Sequence, residues 1–276
     1  MPIVTLTTDI GQNDYIVGAI KGQLLTANPA FNIVDITHCL SPFNYLQAAY
    51  ICGNAYKYYP AGTIHLLLVN LFDTHPDHLL VARLNNQWIA CPDNGILTLI
   101  TGTRPTDIVA VSVPQKSSMG ILQCTGPLSL ALGQLSQGAP LDQLGDTRVM
   151  IDEKYPLRAT VGPDWMEGQI IFIDNFENVV VNITQAEFEE QRRGRKFKIV
   201  FTRNEMIETL SRNYASVQAG EKLAWFNSAG YLEIAINKGN VAGLFGLQGF
   251  SESSRHATLH NKWFYQTVRI FFEQTP

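Results

Sequence analysis

Asp73-Thr-His75-Pro-Asp77-His78 crowds four side chains able to move a proton or hold a metal into six positions. Three readings fit that spacing. His75 or His78 beside Asp77 makes a base–orienter pair, because an imidazole titrates near neutral pH and a carboxylate can fix its tautomer. Alternatively, Asp73, His75, Asp77 and His78 ligate a metal ion, which would need further ligands downstream, where the remaining histidines are His256 and His260. The third reading is a solvated loop with no chemistry. Asn70, just upstream, can hydrogen-bond but cannot serve as a base.

The elements around this loop follow from hydrophobic pattern. Residues 3–8 are β-rich and end at Asp9. Tyr15, Val17, Ile20, Leu24 and Leu25 then recur at helical spacing. Residues 33–36 read as a strand and Asn44 to Tyr58 as a second amphipathic helix. Thr63 to Val69 is nearly all apolar, as a parallel strand buried on both faces should be. This alternation predicts an α/β domain with a mostly parallel central sheet, whose ligand site lies at the carboxyl ends of the strands. Asp9 and Asn70 stand at two such ends. Further strands are predicted at 79–84, 88–91 and 108–113, and a helix over 127–135 with Pro127 in its first turn. Past a boundary near 145–160, strands at 169–174, 179–182, 197–202, 222–226, 231–236 and 263–272 predict an all-β second domain. The division is therefore 1–150 and 160–276.

Composition narrows the function. A net charge of −4 with 16% charged residues disfavours nucleic acid as a partner, since counterion release needs a clustered basic surface. The basic run Arg192 to Lys198, beside Glu187, Glu189 and Glu190, reads as a solvated loop. Cys39, Cys52, Cys91 and Cys124 share no metal-binding spacing, and fit reduced, mostly buried thiols in a cytoplasmic protein. Neither a signal peptide nor an apolar run near the ~18 residues of a membrane span is expected.

A resemblance runs in order through nearly the whole chain. Thr7-Thr8-Asp9-Ile10-Gly11 with Asp14-Tyr15, Gly18 and Lys21-Gly22 resembles T-T-D-F-G…D-x-Y…G…K-G of the S-adenosylmethionine hydroxide adenosyltransferases, relatives of the fluorinases and chlorinases. Asp35-Ile36-Thr37-His38, Tyr59-Pro60-Ala61-Gly62-Thr63-Ile64-His65 and Pro92-Asp93-Asn94-Gly95 match further motifs of that family. So do Ile173-Asp174-Asn175-Phe176-Glu177-Asn178 and Asn227-Ser228-Ala229-Gly230-Tyr231-Leu232-Glu233.

The resemblance implies a C-terminal β-barrel, a homotrimer with nucleoside sites between subunits, and hydrolysis of S-adenosylmethionine to adenosine and methionine by water attack at the ribose 5′ carbon. No cofactor is implied. Asp9 would accept the ribose hydroxyls, and Phe43 would wall the sugar and sulfonium. Tyr214 would stack on adenine and Asn178 would bond its edge. Asp174 and Ser228 would hold the methionine end, with Phe176 and Asn70 completing the ligand-binding set. His38 and His65 match family positions as structural residues.

The family's V-D-P-G-V-G-[ST]-x-R is replaced here, leaving Asn70 at the Asp and Asp77 at the Arg of an Asp–Arg–His catalytic set. The His position falls on Gly120, and Glu177 replaces a Gly. A substitute base is expected from His75, Asp77 and His78. A non-catalytic nucleoside binder and a metal-dependent hydrolase, whose D-x-H-x-D-H spacing is similar to that of metallo-β-lactamase-type hydrolases, are the alternatives. Halogenation is disfavoured, because Asp73 and Asp77 would repel a halide.

Overall fold

The computed structural model describes residues 1–73, 76–114, 120–202, 205–247 and 266–273. Two compact units, Met1–Pro156 and Leu157–Pro276, divide the chain.

In the first unit the strands are β1 (Ile3–Thr8), β2 (Asn32–Thr37), β3 (Ile64–Leu68), β4 (His78–Leu84), β5 (Gln87–Pro92) and β6 (Ile108–Ser112). They form one sheet in the order β2-β1-β3-β5-β4-β6. β2, β1, β3 and β5 run parallel, and β4 runs against both its neighbours. The reversal follows from chain length, since the two residues Asn85 and Asn86 between β4 and β5 allow only a hairpin. Asn85 takes φ 54°, a backbone region that asparagine tolerates well.

Helices cover both sheet faces. α1 (Ile16–Ala27) and α4 (Ile121–Ser136) bury Ile20, Leu24, Leu128 and Leu132 against one face. α2 (Tyr45–Ala55) and α3 (Ile96–Thr101) bury Ala48, Cys52, Ile96 and Leu97 against the other. Every residue of β3 is consequently buried, as its unbroken apolar run predicts.

The structure corrects one boundary. Pro127 lies inside α4 rather than at its start, and the helix begins six residues earlier, capped by Gly120, whose N–H donates to Gln123 Oε1 at 3.0 Å. An interior proline costs about 3 kcal/mol. Each fully buried leucine returns about 1.5–3 kcal/mol, and Cys124, Leu128, Leu132 and Leu135 are all buried on one stripe. The stripe outweighs the breaker.

The second unit holds β7 (Thr160–Val161), β8 (Trp165–Ile173), β9 (Val179–Thr184), β10 (Phe197–Thr202), β11 (Glu205–Ile207), β12 (Lys222–Phe226), β13 (Tyr231–Ile236) and β14 (Thr267–Phe272). They run antiparallel in the order β11-β10-β14-β8-β9-β13-β12, with β7 beside β8. The end strands approach through an ion pair between Glu205 and Lys222, so the sheet is nearly closed, barrel-like.

A helix absent from the sequence expectation, α5 (Gln185–Arg192), packs against it. Thr184 and Glu187 form its capping box. Phe188 is fully buried, with its ring 5.1 Å from Phe197 and 6.0 Å from Phe272. The basic run is accordingly more than a solvated loop. Arg192 lies 5.2 Å over the Phe197 ring and Arg195 5.0 Å over Phe272, covering the edge of the aromatic core with their guanidinium planes.

Candidate functional site

Sheet order decides what meets in the first unit. The carboxyl ends of β1, β3 and β5 and the start of antiparallel β4 share one edge, which sets Asp9, Asn70, Asp93 and His78 along it. The β1-to-β4 separation is three strand spacings, about 14 Å. Asp9 and His78 therefore occupy opposite ends of a polar ledge.

At the first end, the Asn70 backbone N–H donates to Asp9 Oδ2 at 2.8 Å. Asn70 Oδ1 accepts from the Phe43 N–H at 2.8 Å. Both residues take left-handed backbone, φ 49° at Asn70 and 61° at Phe43, a strained region for a phenylalanine. The Asn94 carboxamide holds the turn by donating to the carbonyls of Val69 (2.9 Å) and Asn70 (3.1 Å). Burial raises the Asp9 pKa, and the Asn70 N–H opposes that shift. Phe43 is 66% exposed, so its ring is presented to solvent rather than packed in the core.

Two residues that sequence reasoning missed complete this end. The Tyr45 hydroxyl donates to Asp73 Oδ2 at 2.7 Å. Burial, then the Asp73 bond, push the Tyr45 phenol well above its ordinary pKa. Lys154 lies with Nζ 3.9 Å from the centroid of the Tyr45 ring and 3.9 Å from Asp73 Oδ2, anchored by donation to the Asn94 carbonyl at 2.8 Å. Tyr45 follows the Asn44 helix cap and carries that faint signal. Lys154 carries none, being remote in sequence.

At the second end, His78 bridges two carboxylates: Nδ1 meets Asp77 Oδ1 at 2.5 Å and Nε2 meets Asp93 Oδ2 at 2.9 Å. The Asp93 bond is the main reason its pKa is raised, with Asp77 adding to it against burial. An imidazole that donates from both nitrogens is a cation with no lone pair to offer. Asp93 is fixed in turn by the Asp152 N–H at 2.8 Å. A cavity of about 250 Å³ opens here, lined by Leu71, Pro76, Asp77, His78, Asp93 and Asp152.

The structure thus brings Asp77 and His78 together and adds Asp93. Asp73 turns away to Tyr45, and His75, with His256 and His260, lies outside the described residues. Among the described residues no group of three His, Cys, Asp or Glu side chains could hold a metal ion.

Other histidines serve packing. His65 is buried, bonded through Nδ1 to Thr5 Oγ1 at 2.8 Å and flanked edge-on by Tyr56 and Tyr59. Burial lowers its pKa to about 4. His38 is bonded through Nδ1 to Thr8 Oγ1 at 3.0 Å, with Asp35 3.2 Å from its other nitrogen. All four cysteines are free thiols, and burial pushes Cys52 up to about 12.

The second unit carries its own polar network. Asp174 Oδ1 accepts the backbone N–H groups of Phe176 (2.9 Å) and Asn178 (2.8 Å), and Oδ2 accepts Asn178 Nδ2 at 2.9 Å. Glu233, only 4% exposed, accepts from the Tyr214 hydroxyl, from Trp225 Nε1 at 3.0 Å and from Asn227 Nδ2 at 3.1 Å. Burial, then Glu233, raise the Tyr214 pKa. Glu233, Trp225 and Asn227 were not singled out by the sequence as site residues. Phe176 is 75% exposed, and Ser228 is exposed on the Asn227–Gly230 turn. Glu177 takes φ 61°, which explains why a glycine suits that position in the resembling motif.

An α/β unit with a polar ledge at its strand ends, followed by a nearly closed antiparallel barrel, defines the class of protein. The match to known families is direct: residues 4–145 match the SAM hydroxide adenosyltransferase N-terminal domain and residues 168–253 the C-terminal domain. The chain belongs to the S-adenosylmethionine hydroxide adenosyltransferase family. It is 27% identical over 260 residues to an (R)-S-adenosyl-L-methionine hydrolase of Thermus thermophilus, covering 89% of this chain and 96% of that one. A fluorinase of Actinopolyspora mzabensis is 23% identical, with 90% and 94% covered. The fold is shared with a solved structure of an uncharacterized conserved protein from Thermotoga maritima at TM-score 0.79, 23% identity, and 98% and 99% coverage.

Proposed function

We propose that this protein hydrolyses S-adenosylmethionine to adenosine and methionine, with water attacking the ribose 5′ carbon and methionine leaving. Relatives named as hydrolases and as fluorinases stand at similar identity, 27% and 23%, so identity alone does not choose between water and halide. The choice rests on one observation: Asp73 sets a carboxylate beside Tyr45 at the Asn70 end of the ledge. Lys154, 3.9 Å from the same oxygen, offsets part of its charge, but a carboxylate there can still receive a proton from water, a role that halide attack does not need.

Asp9 accepts the ribose hydroxyls in this reading, and Phe43 faces the sulfonium. Asp174, Phe176, Asn178, Tyr214 and Ser228 supply the adenine and methionine contacts. The protein is a cytoplasmic homotrimer. His78, which the sequence suggests as an acid–base group with Asp77 and His75, has both nitrogens engaged by carboxylates and serves in this reading as a cation rather than as the base. No helix among the described residues is long and apolar enough to cross a membrane.

The test is chromatography of products after incubation with S-adenosylmethionine, with Asp9→Ala alongside and light scattering for the trimer. Adenosine from the wild type, lost in the variant, supports the reading. Binding without turnover makes the protein a nucleoside receptor instead.

A further inference from the structure

The base for this reaction is not settled by the family's usual positions, so the described side chains at the ledge are the candidates. Asn70 holds no proton-accepting group. Asp9 accepts the Asn70 N–H and, in the proposed reading, the ribose hydroxyls; both nitrogens of His78 rest on carboxylates, and those carboxylates, Asp77 and Asp93, lie with it at the opposite end of the ledge. Asp73 remains. Its backbone N–H bonds the Asn70 carbonyl at 3.1 Å, which ties it to the same turn. Tyr45 and Lys154 both approach its Oδ2, and among the described residues no donor is shown at Oδ1.

A second observation ties Asp73 to the same turn. Asn70 is 6% exposed, and its side chain meets the Tyr45 hydroxyl that donates to Asp73. Asn70, Tyr45 and Asp73 therefore form one polar chain, buried at Asn70 and half-open at Asp73.

We infer that Asp73 is the general base of this site, taking a proton from water, with Tyr45, Asn70 and Lys154 as positioning residues. The inference rests on the proposed hydrolysis. Its step balances: a water oxygen bonds the 5′ carbon, the carbon–sulfur bond breaks, and its electron pair neutralises the sulfonium to the thioether of methionine. The water's proton passes to Asp73 and then to solvent.

The experiment measures adenosine formation and, separately, adenosine binding by calorimetry, for wild type, Asp73→Asn and Asp73→Ala. Asp73→Asn keeps the shape and an acceptor for Tyr45 but loses basicity, so kcat should fall about a hundredfold or more while adenosine affinity changes less than about threefold. Added formate should restore part of the Asp73→Ala rate, which a purely structural role would not allow. Tyr45→Phe should lower kcat with little change in KM. A wild type with no turnover overturns the hydrolase reading and this inference together. Turnover that survives in Asp73→Asn overturns the inference alone, and so does loss of adenosine binding in that variant, which would make Asp73 structural.

Discussion

Asn70 grips Asp9 from the left-handed region of backbone space, its N–H 2.8 Å from the carboxylate at φ 49°. Among common residues, asparagine and glycine tolerate that conformation, whereas others pay roughly 1–2 kcal/mol. The Asn70 side chain also holds the Phe43 backbone, itself at φ 61°. One residue thus positions both the carboxylate and the exposed ring.

Asn70→Ala should therefore destabilise the first unit by about 2–3 kcal/mol, combining strain with an unpaired Phe43 N–H. Asn70→Gly removes the strain and leaves only the lost bond, so it should cost about 1 kcal/mol less. Urea titration of both variants decides the matter. Equal losses would show that the backbone conformation is not what asparagine supplies.

In the second unit, three donors converge on Glu233. Glu233→Gln turns one acceptor oxygen into an NH₂ that faces donors. We expect about 2–3 kcal/mol of destabilisation, since hydrogen bonds to a buried charge are the strong ones. Tyr214 should lose its fixed position, and its phenol should titrate nearer the ordinary value, followed by ultraviolet absorbance. An unchanged titration would mean that burial alone holds it up.

Much of this architecture was legible in the sequence. The all-apolar Thr63 to Val69 run announced a central strand, and it is β3. Asp9 and Asn70 at strand ends follow from the same pattern. The helix α4 was misplaced because Pro127 looks like a start signal, and only packing of the stripe beginning at Cys124 reveals otherwise. α5 escaped because its single buried residue, Phe188, gives no periodicity to count. The Tyr45–Asp73–Lys154 cluster escaped for a different reason. Its members are joined by tertiary contact, with Lys154 brought to the ledge by its own backbone bond to Thr98 Oγ1 at 2.9 Å.

His65 sets an acid limit on stability. In the unfolded chain it takes a proton below its ordinary value of 6.5, but in the folded protein only near 4. The unfolded state binds more protons between those values, so stability is fully present above 6.5 and falls as the pH drops toward 4. The loss should approach about 3 kcal/mol. His65→Gln should flatten that slope in denaturation midpoints measured across the range. A slope that persists would assign it to other groups.

His78 gives the opposite sign. Its folded pKa is raised, chiefly by Asp93, so its contribution is fully present below the unfolded value of 6.5 and is lost as pH rises through the raised one. Asp93→Asn removes the largest cause but leaves Asp77 2.5 Å from Nδ1. The imidazole should then titrate at lower pH, by imidazole chemical shifts in NMR, yet remain protonated longer than a free histidine. The pair is partly solvated, so Asp93→Asn should be less stable than the wild type by no more than roughly 1 kcal/mol, a difference seen below pH 6.5 where the His78 contribution is fully present. Asp93 also accepts the Asp152 N–H, and an asparagine oxygen can keep that bond, so the variant tests charge rather than loop integrity. If His78 titrates unchanged in Asp93→Asn, Asp77 alone fixes its charge. The acid–base character of this end of the ledge would then belong to the Asp77–His78 pair that the sequence first displayed.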